Sequence, residues 1–395
     1  MPGDRRRTRG EGRTDRRIPV LLLIDRLLAA GGAEALVSTV AQHLPRERFE
    51  VSVCATRVAR GPLVEQLEDA GIEVFSLGRS GRLDLLPLVR LARYLRRRRV
   101  AVIHSHMFGS NFWGAVVGRA AGVDVIVAHE HTWSFTGQPV RLRIERHLIG
   151  PSVDALVAGT SAVRDQMISV TGLPAQKVVV IPGPYVQRPV VPGDLRGELG
   201  LGPETPVVGT IAVLRPEKAL EVLLDAFREV LHTLPEARLI MVGDGPQRSA
   251  LEAAAAQLEI AHAVHFLGIR RDVATILAGL DVAVISSDYE GTSLFMVECI
   301  THGVPLVSTR VGGPAEYLED GISARLVPTR DSEALARALL SVLEHPERGR
   351  ALAAAAGAVA SEFDPDRIAA RHAALYERLL AGGPPIPPES PPAHG

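Results

Sequence analysis

Cysteine, lysine and aromatic residues are scarce in this chain of 395 residues. The two cysteines, Cys54 and Cys299, fall in segments that we predict to be a strand and a helix. Such a pair is typical of buried thiols in a reducing cytoplasm and argues against a disulfide framework or a cysteine zinc site. Lysine occurs only at Lys177 and Lys218, against 42 arginines. Where arginine is the usual cation, a lysine indicates that a compact point charge is required.

The sequence also lacks an apolar run long enough to span a membrane. Seven arginines lie between residues 5 and 17, and a predicted strand at residues 20–24 follows them. A secretory signal would instead continue into an apolar region with a small-residue cleavage site. We therefore expect a cytoplasmic protein that is at most peripheral on the inner membrane surface.

The net charge of −1 conceals an uneven distribution of charge. Residues 1–200 hold 28 lysines and arginines against 19 acidic residues, whereas residues 201–395 hold 16 against 26. The basic half can rest on an anionic membrane surface, or its arginines can simply solvate helix surfaces, and both interpretations stay open. No nucleic-acid partner is expected. The arginines in question are Arg90, Arg93, Arg96, Arg97, Arg98, Arg99, Arg141, Arg143 and Arg146.

The length predicts two domains, because 395 residues exceed what one apolar core usually supports. Predicted strands and helices alternate in two series, which is typical of a pair of doubly wound α/β domains facing each other across a cleft. The strands are predicted at residues 20–24, 50–55, 73–76, 100–104, 125–128, 155–158 and 178–181, and then at 207–213, 238–242, 264–267, 282–285 and 306–309. We assign a disordered basic tail to 1–17, the first domain to 18–185, a linker to 186–206, the second domain to 207–363, a helix to 364–381 and a disordered proline-rich tail to 382–395.

The most informative segment runs from residue 281 to residue 328. A buried strand leads into a glycine turn and then into an apolar helix, so the backbone amides of residues 291–294 open at a helix N-terminus and can hold an anion. We call residues 291–294 the anion seat. Glu290 precedes this turn and Glu298 lies about one turn into the helix, so two carboxylates flank the anion seat. Ionised carboxylates accept hydrogen bonds from hydroxyl groups such as those of sugars. The four residues with the amides are Gly291, Thr292, Ser293 and Leu294.

Two glutamates spaced eight apart in this setting resemble the donor-site signature of retaining nucleotide-sugar glycosyltransferases of family 4, which have the GT-B fold. The simpler interpretation, a solvated helix face, is less favoured because the strand, the glycine turn and a later Gly-Gly turn occur in the expected order. The resemblance implies two Rossmann-like domains and a C-terminal helix that crosses back to the first domain. It also implies that Glu290 holds hydroxyls of the donor sugar and that Glu298 holds the ribose.

Residues 214–219 resemble the family loop whose two cations clamp the donor diphosphate. Lys218 stands at the lysine position, but Val213 stands where the family has arginine and Ala219 where it has glycine. Arg215 lies two residues after the family arginine position. Two alternatives therefore stay open: Arg215 supplies the second cation, or the site uses one cation together with the helix amides.

Further donor contacts follow from the resemblance. Gly268 and Ile269 lie in the segment whose backbone meets the nucleotide base, and Gly31 and Gly32 form a loop in the first domain that can approach a phosphate or the transferred sugar. His131 stands at the position of a histidine that contacts the donor hexose. His129 is the next candidate.

A metal site is the alternative interpretation of the histidine pairs His104/His106 and His129/His131, because His-x-His pairs do bind metals. No carboxylate or cysteine completes a set, and we expect no metal and no cofactor. No Asp-x-Asp site of a metal-dependent transferase is evident either. Asp364 and Asp366 flank Pro365 at the predicted start of the C-terminal helix, where an N-cap is the better explanation.

The resemblance implies transfer of a glycosyl group with retention, from a nucleoside-diphosphate sugar to a saccharide or a lipid-linked acceptor in polysaccharide biosynthesis. Glu290, His131 and Lys218 are the predicted catalytic residues. The leaving diphosphate would be stabilised by Lys218, by helix amides and, in the two-cation alternative, by Arg215, without a metal. A nucleotide-sugar epimerase and a catalytically degenerate nucleotide-binding homologue are the other candidates.

Overall fold

The computed structural model describes residues 17–28, 32–81, 84–131, 138–186 and 193–385. The predicted tails at 1–17 and 382–395 lie almost entirely outside this part of the chain, as do six residues of the predicted linker.

Seven parallel strands form the sheet of the first domain, in the order β3-β2-β1-β4-β5-β6-β7. They are β1 (Ile18–Leu27), β2 (Phe49–Ala59), β3 (Glu73–Ser76), β4 (Val102–His106), β5 (Val125–Glu130), β6 (Ala155–Ala158) and β7 (Val178–Val180). Strand β1 packs on both faces, because Leu22 enters one apolar core and Leu21 and Leu23 enter the other. Such central strands are continuous aliphatic runs, since helices cover both sides of a parallel sheet.

The helices of the first domain begin after the carboxyl ends of the strands. They are α1 (Gly32–His43), α2 (Pro62–Asp69), α3 (Leu86–Arg98), α4 (Met107–Ala121), α5 (Pro139–Ile144), α6 (Gly150–Ser152) and α7 (Ser161–Thr171). A π-helical turn, Glu145–Ile149, joins α5 to α6. Helix α7 is absent from the sequence prediction although its signal is local: the Thr160 side chain caps it by accepting from the Val163 amide at 3.2 Å.

The second domain repeats the arrangement with six parallel strands in the order β10-β9-β8-β11-β12-β13. They are β8 (Val207–Ile211), β9 (Arg238–Val242), β10 (Val264–Gly268), β11 (Val282–Ile285), β12 (Leu306–Thr309) and β13 (Arg325–Val327). The helices are α8 (Leu195–Glu198), α9 (Leu220–Thr233), α10 (Arg248–Gln257), α11 (Val273–Ala278), α12 (Leu294–His302), α13 (Gly312–Tyr317), α14 (Ser332–Leu343) and α15 (Pro346–Ala356). In both sheets the strand order reverses beside the first strand, which is where doubly wound folds bind ligands.

The predicted fold class is confirmed, including the crossing helix α16 (Pro365–Leu380). Ile368, Leu375 and Tyr376 of this helix enter the apolar core of the first domain. The Asp364 carboxylate caps the helix by accepting from the Arg367 amide at 3.0 Å, so the N-cap interpretation is also confirmed. No helix in the described part of the chain is long and apolar enough to cross a bilayer.

Several predicted boundaries are wrong by a few residues. Strand β4 begins two residues later than predicted and ends at His106, which places that histidine inside the sheet. The helix predicted at 364–381 begins at Pro365 in the structure, and a 3-10 segment, Gly357–Phe363, separates it from α15. Strand β13 was not predicted, since three residues carry too little periodicity.

Candidate active site

A cavity of about 560 Å³ lies between the two domains, at the carboxyl ends of their strands. Of the residues that we predict for the site, Glu298, Gly268 and Ile269 are not among those that line it, and Gly31 lies outside the described residues. The others line one continuous cavity: Gly32, His129 and His131 from the first domain, and Arg215, Lys218, Glu290, Gly291, Thr292, Ser293 and Leu294 from the second.

Lys218 and Glu290 form an ion pair in the wall of the cavity. Lys218 Nζ donates to Glu290 Oε1 at 2.7 Å, and Ser287 Oγ donates to the same oxygen at 2.7 Å. The Glu290 side chain is 8% exposed and that of Lys218 is 24% exposed, so solvent screens this pair only partly. An ammonium group has three donors, and Glu290 takes one. Lys218 can therefore also meet an anion in the cavity.

Close glycine packing shapes the anion seat at residues 291–294. Gly291 leaves no room for a side chain, because a Cβ there would lie 2.7 Å from the His131 carbonyl oxygen. The Gly313 amide donates to the Gly291 carbonyl at 2.7 Å and so holds the turn. Ser293, the residue before α12, has φ 60°, which non-glycine residues adopt at a cost of about 1–3 kcal/mol, often at functional sites.

Thr292 of the seat also joins the two domains. Its hydroxyl donates to the Gly159 carbonyl at 3.2 Å and accepts from the Gly183 amide at 3.3 Å. A second link lies nearby, where the Glu316 carboxylate accepts from the Ser161 amide at 2.5 Å and from its hydroxyl at 3.3 Å. Burial between the domains raises the pKa of Glu316. The seat therefore occupies part of the domain interface.

The loop before α9 holds the candidate cations. The Val213 side chain is 48% exposed and lines the cavity, where it offers an apolar surface. Arg215 lines the same cavity and is held only loosely, since its guanidinium is 3.9 Å from the Glu217 carboxylate. The Lys218 carbonyl accepts from Ser286 Oγ at 2.9 Å, which ties this loop to the segment that carries Glu290. Both cations thus face the space in front of the anion seat.

Ala219 stands at φ 47°, in the left-handed region, next to Lys218. We expect Ala219→Gly to stabilise the protein by up to about 1 kcal/mol, because glycine has no Cβ to clash with the following carbonyl. Thermal unfolding would measure this as a rise in Tm. Ala226→Gly, in the interior of α9, is the matched control and should lower Tm, since glycine weakens a helix. Equal decreases in both variants would contradict the assigned strain.

Four predicted histidines lie next to one another, and the structure adds a fifth from α16. His131 Nε2 and His106 Nδ1 are 3.3 Å apart, and His104 Nδ1 is 2.6 Å from the Tyr376 hydroxyl. His372 packs beside them, with its ring centroid 5.2 Å from that of His104. Sequence reasoning missed His372 and Tyr376 because nothing local to α16 marks the side that faces β4.

All five imidazoles are neutral at pH 7. Burial lowers the pKa of His131 to about 4 and that of His372 to about 3, and it holds the pKa values of His104, His106 and His129 well below their usual range. A neutral imidazole donates a hydrogen bond from one ring nitrogen and accepts at the other. His131 can therefore offer either role to a polar ligand in the cavity.

Two buried carboxyl groups, Glu130 and Glu145, interact with each other, and Glu130 alternates with His129 along β5 and so points to the other face of the sheet. Glu130 accepts from Asn111 Nδ2 at 2.7 Å, and burial raises its pKa to about 7. Glu145 is fully buried in the π-helical turn, and neither of its oxygens has a hydrogen-bond partner among the described residues. Burial, and next the charge of Glu130, raise the pKa of Glu145 to about 9. Neither group lines the cavity.

Comparison with known families gives one match in each domain. Residues 30–185 match the family described as Glycosyltransferase Family 4, and residues 205–345 match the family described as Glycosyl transferases group 1.

Comparison with individual proteins agrees with these matches. The D-inositol 3-phosphate glycosyltransferase of Mycobacterium marinum is 30% identical over 382 residues, which cover 88% of this chain and 78% of that protein. The enzyme of the same name from Thermobispora bispora is 28% identical over 391 residues, covering 89% and 90%. Among solved structures, Anabaena HepE in complex with UDP-glucose is 25% identical, covers 92% of this chain and 99% of its own, and superposes with a TM-score of 0.78.

Proposed function

The chain belongs to glycosyltransferase family 4 and has the GT-B fold, and from this premise we propose that it transfers a sugar from a nucleoside-diphosphate sugar to a hydroxyl acceptor with retention of configuration. The observation that carries the proposal is the wall formed by Lys218, Glu290 and the anion seat, with His131 across the same cavity. The complex of HepE with UDP-glucose supports the donor class.

The roles follow from charge and hydrogen-bonding capacity. Lys218 and Arg215 carry the positive charge that a leaving diphosphate needs, and the amides of the seat add oriented dipoles. Glu290 accepts hydrogen bonds from hydroxyls of the donor sugar, and neutral His131 contacts the same sugar from the first domain. This arrangement stabilises the leaving group without a metal ion at the diphosphate.

We propose that the acceptor hydroxyl attacks the anomeric carbon on the face from which the diphosphate departs. One anomeric C–O bond breaks, the new glycosidic C–O bond forms on the same face, and the acceptor proton passes to the departing phosphate oxygen. Neither Glu290 nor Glu298 acts as a nucleophile in this scheme. The protein then supplies position and charge stabilisation.

Slow hydrolysis of the donor distinguishes this proposal from its alternatives. The protein would be incubated with UDP-, GDP- and ADP-sugars, and the released sugar examined by NMR before mutarotation. Release with retained anomeric configuration is the expected result. Inversion at C2 or C4 of the intact donor would instead identify an epimerase, and binding without turnover would identify a degenerate homologue.

Glu298 is a predicted ribose contact that is partly buried on α12 and does not line the cavity. We expect Glu298→Ala to weaken binding of the nucleoside diphosphate by roughly tenfold or more, because a charge-assisted hydrogen bond to ribose contributes about 1.5–3 kcal/mol. Isothermal titration would measure this loss of affinity, with Glu204→Ala, an exposed glutamate of the predicted linker, as the control. Unchanged affinity would contradict the ribose role.

We further propose that the acceptor is lipid-linked or a nascent polysaccharide, and that helix α3 rests on an anionic membrane surface. Leu86 and Val89 are 74% and 53% exposed at the end of α3 that follows β3, which is the cleft side of the domain. Arg90, Arg93 and Arg97 are exposed along the same helix face. Basic residues clustered on an exposed face are attracted to an anionic membrane surface, and the exposed apolar residues at the end of the helix can add contact with it.

Liposome flotation is expected to recover the protein with anionic vesicles and not with neutral ones. The triple change of Arg90, Arg93 and Arg97 to glutamine should abolish recovery, because each basic residue at an anionic surface contributes about 1 kcal/mol. Arg98→Gln is the control, because the Arg98 guanidinium already donates to the Glu73 carboxylate at 2.5 Å. This variant should still be recovered with anionic vesicles. Equal recovery with both kinds of vesicle, or none with either, would favour a soluble acceptor.

A further inference from the structure

The histidines of the first domain meet on one face of the sheet, beneath the cavity. His104 and His106 are two residues apart on β4, and His129 pairs with His106 on the neighbouring strand β5. Side chains two residues apart lie on the same face of a strand, and paired residues of adjacent strands are neighbours. One ring nitrogen of each of the three lies within 4.8 Å of the others. The topology thus builds a compact set of three imidazoles.

Each of these three rings keeps a buried nitrogen without a hydrogen-bond partner among the described residues. They are His104 Nε2, His106 Nε2 and His129 Nδ1. The residues are essentially inaccessible to solvent, and buried polar atoms without partners are uncommon because each costs about 1–3 kcal/mol. Three neighbouring imidazoles, each with an unpartnered ring nitrogen, indicate a missing common partner.

A fourth imidazole, that of His372, lies beside these three rings. His372 of α16 has no hydrogen-bond partner at either ring nitrogen among the described residues, and its ring centroid lies 5.2 Å from that of His104 and 6.0 Å from that of His129. Imidazole sets of three or four are the ligands that zinc and neighbouring transition metals prefer. Carboxylates, which calcium and magnesium require, do not take part in this set.

Against the expectation from the sequence that the chain binds no metal, we propose that His104, His106 and His129 form a binding site for a divalent transition metal, with zinc as the best fit. In a tetrahedral zinc site the ligand nitrogens are about 3.3 Å apart, so these nitrogens need to approach by at most about 1.5 Å. His372 or a water molecule supplies the fourth ligand.

The remaining contacts of the rings provide the supporting shell that metal-bound histidines usually have. With the metal on Nε2, His104 carries its hydrogen on Nδ1 and donates it to the Tyr376 hydroxyl, 2.6 Å away. His106 likewise donates from Nδ1 to His131 Nε2, 3.3 Å away. His131 then carries its own hydrogen on Nδ1. The metal would act as a positioning element that selects one tautomer of the cavity-lining histidine, and it takes no part in holding the diphosphate.

Zinc binding to the full-length chain, prepared without a polyhistidine tag and stripped by a chelator, tests the proposal directly. Competition with a chromophoric chelator should show one equivalent of Zn²⁺ bound per chain, and X-ray absorption should show nitrogen ligands with imidazole scattering. Bound zinc should also raise Tm, since it binds the folded chain preferentially. Absence of a stoichiometric equivalent in the wild-type chain would overturn the proposal, whatever any variant shows.

Variants locate the site. His104→Gln should abolish the stoichiometric equivalent, and the milder Tyr376→Phe should weaken it by about tenfold through loss of the supporting hydroxyl. His345→Gln, an exposed histidine near Glu347, is the control for surface binding and should leave the equivalent intact. Zinc that remains in folded His104→Gln, or disappears in His345→Gln, would identify adventitious surface binding and overturn the assignment.

Discussion

Lys218→Met is expected to lower the rate of glycosyl transfer by about 10²–10³-fold, the loss typical when one preorganised charge or donor is removed from a leaving group. The departing diphosphate gains negative charge as the anomeric bond breaks, and Lys218 faces the cavity where that charge forms. The same variant should weaken a nucleoside diphosphate by roughly tenfold and leave the unphosphorylated nucleoside unaffected. Single-turnover kinetics and isothermal titration would measure the two effects.

Two controls separate charge from structure in this experiment. Lys177→Met removes the other lysine, whose ammonium group donates to the Gly150 carbonyl at 2.7 Å and does not line the cavity. This variant should leave nucleotide affinity unchanged. Lys218→Met also leaves Glu290 buried without its cation, so its Tm must be compared with that of Lys218→Arg, which keeps the charge. Equal losses for nucleoside and nucleoside diphosphate would contradict the diphosphate role.

Arg215→Gln decides between the two alternatives for the cations. A loss of diphosphate affinity comparable to that of Lys218→Met would show that Arg215 replaces the arginine that the family has at position 213. Unchanged affinity would show a site with one cation and helix amides. Because the guanidinium lies 3.9 Å from the Glu217 carboxylate and is held only loosely, little structural rearrangement is expected from the change.

Glu145→Gln should stabilise the protein by about 2–3 kcal/mol at pH 7 and by almost nothing at pH 4. The ordinary pKa of this carboxyl is near 4.5, and burial raises its pKa in the folded chain to about 9. At any pH between these two pKa values the unfolded chain binds fewer protons than the folded chain, so the free energy of unfolding falls as the pH rises. Glutamine resembles the protonated acid and escapes this loss.

Urea unfolding at pH 4, 5.5, 7 and 8.5 would measure the effect as a difference in free energy of unfolding between variant and wild type. Glu47→Gln, at an exposed site of the same domain, is the matched control and should show no pH-dependent difference. A stabilisation of Glu145→Gln that is constant across these pH values would contradict the raised pKa and point to packing instead.

Local patterns in the sequence were sufficient for every strand except β13, and for the strand, turn and helix that form the anion seat. The aliphatic run at Val282–Ile285, a glycine turn and an apolar helix follow one another directly, and each has its own physical cause within a few residues. The Asp364 cap was found for the same reason. Such features require no knowledge of the rest of the chain.

The contacts that complete the site were beyond prediction because they join distant segments. His372 lies more than 240 residues after His129, and only the docking of α16 brings the two rings to 6.0 Å. The Glu316 carboxylate reaches Ser161 across the domain interface, and neither residue has a local pattern that marks the other. These contacts depend on how α16 is rotated about its axis and on how the two domains are oriented. The hydrophobic periodicity of the sequence shows which face of a helix is apolar, but it does not fix that rotation or orientation.

The two hydrogen bonds that the Thr292 hydroxyl makes to the first domain limit how domains can be exchanged between this protein and other transferases. A chimaera that takes its donor-binding half from another transferase would import a new turn at this position, and the first domain would lose its partner at Gly159 and Gly183. The graft would change how tightly the two halves close as well as which sugar they accept. Donor specificity would therefore be transplanted more safely by rebuilding side chains around the turn while keeping Thr292, or by moving it together with both segments that it touches.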